Sequence, residues 1–338
     1  MINATLYTPN KYFLNNALFD LSKQYNTNTY MFYVLRNRFK DYNINISTQD
    51  LNPLESSAFI IYEDMPIKMK SIIANKINYL IMAESKAVRP DNWILENHKY
   101  FKKIFTCYDE LVDNKKYIKI NYGQHIPDKL EFNIEEKYKL CTMIAGNKIY
   151  KHPLELYTER IKAIRWFEEY HPEDFDLFGI GWDRYYFQGP FKKFNSEKLN
   201  KLNFLRRLIS PKYTSYKGPV VSKTDVLKRY KFSICYENTR DVSGYITEKI
   251  FDCFFAGCVP IYWGAPNITN YIPNNTFIDK RYFKTYEELY RYIKFMSDKE
   301  YIAYLDSIKA YIKSDRIYPF SAEHFADTII QGVIGNYD

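Results

Sequence analysis

The tightest constraint on the fold is a rhythm that occurs twice along the chain. Short β-rich apolar runs alternate with stretches long enough to hold a helix. Residues 58–62 (Ala-Phe-Ile-Ile-Tyr), 78–83, 103–106 and 117–120 read as buried strands, with helical spacing over 67–77 where Ile73 and Ile77 lie four apart. The pattern restarts at 139–145, closed by Gly146-Asn147. A helix over about 154–170 follows, then strands at 176–180, 231–236 and 259–262, with a helix over 246–257 between the last two. Strands spaced by helix-length segments form parallel, doubly wound sheets. Two such units with a break near 124–137 predict two Rossmann-like domains facing one cleft. The end is helical over 285–295, 301–312 and 321–334. In the last of these, Ala322, Phe325, Ala326, Ile329, Ile330 and Val333 share a face and Ser321 is the expected N-cap.

Composition narrows the function classes. A length of 338 residues suits two domains, and 46% hydrophobic residues exclude wholesale disorder. The longest apolar stretch, 254–263, contains Gly257 and Pro260 and falls short of the ~20 residues a membrane helix needs. No basic region leading into an apolar one opens the chain, so no signal peptide is expected. Cys107, Cys141, Cys235, Cys253 and Cys258 form no C-x-x-C pair and read as buried, reduced thiols, which predicts a cytoplasmic location. The net charge of +8 is spread in pieces such as Lys115-Lys116 and Lys192-Lys193. With 18% aromatic residues it is compatible with nucleic acid, a sugar or an anionic nucleotide as partner.

Most generic signatures are missing. No G-x-G-x-x-G opens a helix, no phosphate-binding Gly-Lys-Ser/Thr loop occurs, and neither H-E-x-x-H nor G-x-S-x-G is present. Gly179-Ile-Gly181 lacks the third glycine of a dinucleotide fingerprint. Asp174-Phe-Asp176 has the D-x-D form that can hold a divalent metal, but its place just before a buried strand favours a strand-entry turn.

The informative region is 230–279. Tyr236-Glu237-Asn238-Thr239 sits at the carboxyl end of a strand, where α/β folds bind ligands. The loop 240–244 then leads to Tyr245-Ile-Thr-Glu248-Lys249 and a helix apolar around most of its circumference. Such a helix is buried, so polar groups meet a ligand only at its amino end. There the free N–H groups and Lys249 favour a phosphate, and Glu248 can pair with sugar or ribose hydroxyls.

These residues also carry a family resemblance. Tyr230-Lys-Phe-Ser-Ile-Cys-Tyr-Glu-Asn238, Tyr245-Ile-Thr-Glu-Lys-Ile-Phe251 and Ala256-Gly-Cys-Val-Pro-Ile-Tyr-Trp-Gly264 resemble the donor-binding signature of the α1,3/4-fucosyltransferases. Upstream, Tyr216-Lys-Gly-Pro-Val-Val-Ser-Lys223, Phe178-Gly-Ile-Gly-Trp182 and Leu156-Tyr-Thr-Glu-Arg160 are similar to further family segments. The resemblance implies an α/β GT-B fold with an acceptor domain over 1–135 and a donor domain over 136–320. A C-terminal helix over 321–338 would cross back onto the first domain. It implies inverting transfer of fucose from GDP-fucose to an oligosaccharide acceptor, by α1,3-linkage to GlcNAc or Glc. Arg160 and Lys249 would neutralise the diphosphate, while Asn238, Tyr245 and Glu248 would contact nucleotide and fucose. No cofactor is expected, a divalent metal at most stimulating, and no metal-binding, nucleic-acid or membrane-spanning element. The alternatives are a GT-B transferase with another nucleotide sugar, or a module for single-stranded nucleic acid.

Inversion needs one general base, and a carboxylate at a strand end of the first domain would face the cleft. Glu84, after the apolar run 79–83, fits this and resembles the family's proposed base. Glu63, after Ile60-Ile61-Tyr62, is its rival, and His125 and His98 are lesser candidates.

Overall fold

The computed structural model describes residues 1–23, 29–130, 132–187, 191, 194–195 and 200–335. The Lys192-Lys193 pair lies outside the described residues. The first sheet holds β1 (Ile2–Tyr7), β2 (Ile44–Thr48), β3 (Phe59–Glu63), β4 (Ile77–Met82), β5 (Lys103–Thr106) and β6 (Tyr117–Lys119). All of its pairings are parallel, in the order β2-β1-β3-β4-β5-β6. The second holds β7 (Lys139–Ile144), β8 (Phe175–Phe178), β9 (Tyr230–Tyr236), β10 (Val259–Trp263) and β11 (Ile278–Asp279). It is also parallel, in the order β8-β7-β9-β10-β11. Both sheets reverse direction of growth after their first strand, between β1 and β3 and between β7 and β9. In doubly wound sheets the crevice outside the carboxyl ends at such a reversal is where ligands bind.

The helices are α1 (Tyr30–Asp41), α2 (Tyr157–Tyr170), α3 (Asn200–Leu208), α4 (Lys223–Leu227), α5 (Glu248–Phe255), α6 (Tyr286–Lys294), α7 (Asp298–Ile312) and α8 (Ala322–Ile334). Although α8 follows the second domain in the chain, its apolar face completes the core of the first. Ala322, Phe325, Ala326, Ile329, Ile330 and Val333 pack with Ala4, Leu6, Leu35, Phe39 and Phe105. Phe325 meets Phe32 edge-on at 5.9 Å, and the Tyr79 hydroxyl donates to Val333 O at 3.3 Å. Ser321 accepts from the His324 N–H, the expected N-cap. Packing onto the second domain, which the sequence pattern alone would have allowed, is not what forms. Truncating Phe325 to Ala should therefore cost about 3–5 kcal/mol, measured by urea denaturation as destabilisation of the first domain.

Several expectations need correction. Residues 67–77 do not form a helix. Among them only Met69–Ser71 makes a 3-10 turn, because the apolar residues there serve two environments. Ile67 and Met69 face solvent, while Ile72 and Ile73 pack under the sheet beside Tyr62. The Tyr62 hydroxyl and the Asn78 amide tie this segment down through Ser71 O and Ile73 O. The strand expected over 176–180 stops at Phe178, since Gly179 turns to φ +128 and a Cβ there would fall 1.9 Å from Ala145 O. β1, α1 and β2 carry no expectation from the pattern above.

A strap from the second domain joins the two units on one side. Thr239 Oγ1 and Ser85 Oγ lie 2.7 Å apart and buried, and the Asp109 N–H donates to Ser243 O at 3.1 Å. The Asp109 carboxylate accepts from Lys119 Nζ at 2.5 Å, Tyr271 OH at 2.6 Å and Asn267 Nδ2 at 2.8 Å. Gly244 passes at φ +80 where a Cβ would sit 2.2 Å from Cys107 O. With the strap and α8 both crossing, the carboxyl ends of the two sheets line one cleft of about 890 Å³.

Candidate active site

On the second-domain side the site begins with β9, whose Phe232, Ile234 and Tyr236 are buried. The strand delivers Glu237 and Asn238 to the cleft end of the sheet. α5 buries Ile250, Phe251, Cys253 and Phe254, so its amino turn is the part that meets the cleft. Glu237 is fully buried, and its carboxylate accepts from the Thr247 N–H at 2.8 Å, Thr247 Oγ1 at 2.7 Å and Lys249 Nζ at 3.1 Å. Lys249 Nζ also lies 3.6 Å from Glu248. Burial opposes the ammonium charge, but Glu237 and Glu248 outweigh it and hold Lys249 above the usual lysine range. Burial likewise opposes ionisation of Glu248, yet Lys249 and Lys223 bring its pKa down to about 2. Lys223 pairs with Asp252 at 2.7 Å on the same wall.

Arg160, on α2, is buried with its guanidinium over the Tyr157 ring. Its Nη2 donates to Tyr236 O at 2.6 Å, Glu237 O at 2.8 Å and Asn238 Oδ1 at 3.2 Å. Asn238 in turn donates to the Tyr245 hydroxyl at 3.3 Å, so its side chain braces the arginine against the tyrosine. The Tyr245 ring is packed away from solvent, stacked on Tyr108 at 5.9 Å with Tyr122 edge-on at 6.2 Å. That ring is thus no platform for a base, and its polar end is what the cleft wall receives.

The first domain supplies the opposite wall. Glu84 follows β4, half-buried, with Oε2 sealed from water and without a hydrogen-bond partner. Burial, then the nearby Asp64, push its pKa up to about 7 against the pull of Lys249 and Lys148 across the cleft. Asp64 fixes the backbone that presents it, accepting from the N–H groups of Ala83 at 3.0 Å and Glu84 at 3.2 Å and from Asn92 Nδ2 at 2.6 Å. Glu63, at the end of β3, also lines the cleft with a buried, unpartnered Oε2, and burial raises it to about 7 as well.

One cleft therefore brings together Glu84, Glu63, Arg160, Asn238, Tyr245, Glu248 and Lys249. It leaves out the histidines. His98 is a core residue between Tyr117 OH at 2.9 Å and Asn92 O at 2.8 Å, and burial lowers its pKa. His125 is exposed, its ring tilted against Tyr30 at 4.4 Å. Asp174 and Asp176 sit at the amino end of β8, away from the cleft. They are spent on Tyr290 and Lys294, and on Tyr230, Lys139 and Lys217, as a strand-entry turn would be. Among the described residues no group of three or more His, Cys, Asp or Glu is arranged to hold a metal ion, and no helix is long and apolar enough to cross a membrane. The sequence reading assigned no role to Glu237, Asp64 or Lys223. Glu237 stood in the quoted Tyr-Glu-Asn, and a carboxylate one residue past a buried strand was the available signal. Asp64 beside Glu63 gave the same one.

Two parallel α/β domains with their carboxyl ends across one cleft make this a GT-B glycosyltransferase fold. A crystal structure of an α1,3-fucosyltransferase with GDP-fucose superposes over 97% of this chain and 89% of its own, at 16% identity and a TM-score of 0.54. Residues 212–323 match the model of the glycosyltransferase family 10 (fucosyltransferase) C-terminal region. An α-(1,3)-fucosyltransferase of Helicobacter pylori is 39% identical over 89 residues, 26% of this chain and 18% of that protein. An α-(1,4)-fucosyltransferase of Arabidopsis thaliana is 40% identical over 72 residues, 21% of this chain and 18% of its own length. The matched stretches thus span less than a fifth of these relatives. Residues 212–323, a third of the chain, thus match the fucosyltransferase family's C-terminal region, within a GT-B fold.

Proposed function

We propose that the chain transfers fucose from GDP-fucose, with inversion, to a hydroxyl of an acceptor glycan, the 3-hydroxyl of a GlcNAc or Glc residue. The observation that carries this reading is the placement of Glu84 from the first domain and Lys249 from the second on the lining of one cleft. Inversion is a single displacement. Glu84 takes the proton from the acceptor hydroxyl as its oxygen bonds to the anomeric carbon, and the bond from that carbon to the diphosphate oxygen breaks. A carboxyl poised near pH 7 is a suitable base. The departing GDP carries extra negative charge, which Lys249 and Arg160 stabilise most when the bond is nearly broken. Glu248 would accept from hydroxyls of the fucose or ribose, with Asn238 and Tyr245 holding the arginine and the wall behind it. No step requires a cofactor, and the five cysteines are free and buried, which suits a cytoplasmic enzyme.

A GDP-fucose transfer assay on a glycan array, run with and without EDTA, tests the reaction. GDP should raise the melting temperature where UDP and ADP at equal concentration do not. A larger shift with UDP would point instead to a GT-B enzyme with another nucleotide sugar. Salt-sensitive oligonucleotide binding with no sugar transfer would favour the nucleic-acid reading.

A further inference from the structure

The donor side of the cleft is crowded with paired charges, but the first-domain arm beyond Glu84 holds polar atoms with no partner at all. Two stand out. Thr29 is 4% exposed and immediately precedes α1, where a threonine hydroxyl usually accepts a helix N–H. Its Oγ1 makes no such bond and is buried without a partner. Glu63 Oε2 is likewise buried and unpartnered. Leaving a buried hydroxyl and a buried carboxylate oxygen unsatisfied is costly unless something arrives to bond them. Both line the same cleft, with Pro9, Phe13 and Phe32 supplying apolar and aromatic wall around them. A few polar atoms on an apolar lining is the make-up of a small-molecule site.

The sheet order separates the two carboxylates by task. Glu63 lies in register with Ile81, so Glu84 leaves the neighbouring strand three residues further out. The charges acting on Glu84 include Lys249, Lys148 and Glu248 of the donor domain. The main ones acting on Glu63 come from its own domain: Asp64, Glu84 and Arg89, with a hydrogen bond from Thr8. Arg89 is itself committed to Asp91, at 2.6 and 2.9 Å. Glu63 therefore sits behind the reacting position, on the path toward β1 and α1, and Arg89, the cation acting on it, is already paired with Asp91.

We propose that this arm is a subsite for a neutral, hydroxyl-rich sugar ring of the acceptor, in which Glu63 and Thr29 bond ring hydroxyls and Glu63 sets specificity. This rests on the transfer reading above for its place in the reaction. A hydroxyl donates to the carboxylate and accepts from the threonine, satisfying both orphans at once, while the aromatic wall takes the ring's C–H face. An anionic ring is disfavoured by two carboxylates side by side.

The test is binding of N-acetyllactosamine, lactose and N-acetylglucosamine by calorimetry in the presence of saturating GDP. The proteins compared are the wild type, Glu63→Gln and Thr29→Val. At least one sugar should bind the wild type, with its Kd raised tenfold or more by Glu63→Gln and about threefold or more by Thr29→Val. The melting temperature should be unchanged or higher in both, because Thr29→Val removes an unsatisfied hydroxyl and Glu63→Gln removes a buried charge. In the transfer assay Glu63→Gln should raise the acceptor KM and leave kcat within about twofold. Unaltered sugar affinity in both variants, no sugar binding to the wild type, or a fall in kcat at constant KM would overturn the subsite. Sugar binding that weakens as expected, in a protein that transfers no fucose, would sink the reaction reading and leave the subsite standing.

Discussion

Replacing Glu84 by glutamine is expected to lower kcat for fucose transfer by roughly 10²–10⁴-fold, the usual worth of a positioned general base. Binding of GDP should survive, because Glu84 stands on the opposite wall from Lys249, Glu248 and Arg160. The variant is nearly isosteric, and the amide can still lie over the Asp64-bound turn at Ala83 and Glu84. A loss of GDP-induced thermal stabilisation equal to the loss of activity would mean a collapsed site rather than a missing base. Undiminished kcat would remove Glu84 from the chemistry altogether.

The same carboxyl makes activity and stability run in opposite directions with pH. With a pKa near 7, the basic form of Glu84 grows in as pH rises, so kcat/KM should climb through about pH 7. Glu63, raised to the same value, titrates in the same window. For both, the folded state holds its proton more tightly than the unfolded chain. Their contribution to stability is therefore greatest below about pH 4.5 and falls between there and pH 7, and the full penalty stands above. Glu248 has the opposite sign: its folded pKa near 2 gives stability above about pH 4.5 that is lost as pH falls through 2. If the acidic limb of kcat/KM persists in Glu63→Gln and disappears in Glu84→Gln, the limb belongs to Glu84.

Why some of this architecture is legible in the sequence and some is not has a physical basis. β3, β4 and β10 are buried along most of their length and read as near-continuous apolar runs, while β7 and β9 keep enough apolar residues around the buried Thr142 and Ser233 to be recognised. β1 hides because Ile2 and Asn3 are exposed and Thr5 is polar, which leaves only Ala4 and Leu6 as buried apolar residues. Thr5 can be there only because its hydroxyl donates to Asn52 O and lies 2.6 Å from Ser57 Oγ, residues roughly fifty positions away. The destination of α8 hides for a related reason. A one-faced amphipathic helix announces that it packs, not on what, and only the family resemblance pointed to the first domain. At the site, Arg160, Asn238, Glu248 and Lys249 were visible because strand end, loop and helix start are contiguous or motif-bound. Asp64 was not, since its importance lies in backbone amides of Ala83 and Glu84 that only strand pairing brings to it.

Lys249 has two duties, and separating them gives the other large expected effect. Its ammonium is a partner of the fully buried Glu237 carboxylate, besides facing the cleft. Lys249→Ala should therefore destabilise the fold by about 3–5 kcal/mol, the cost of stranding a buried charge, and also cut transfer by roughly 10²–10³-fold. Adding Glu237→Gln removes the stranded charge. The glutamine oxygen can still accept the Thr247 N–H, and the Thr247 hydroxyl can rotate to accept from the new amide. Urea denaturation of the two single variants and the double should thus show strong coupling, with the double recovering most of the lost stability. Transfer should not recover with it, because the Lys249 ammonium is then missing from where the GDP leaves and Arg160 remains without it. Were the double variant to regain both stability and transfer, Lys249 would be only the counter-ion of Glu237, and the diphosphate would have to be met by Arg160 and Lys223.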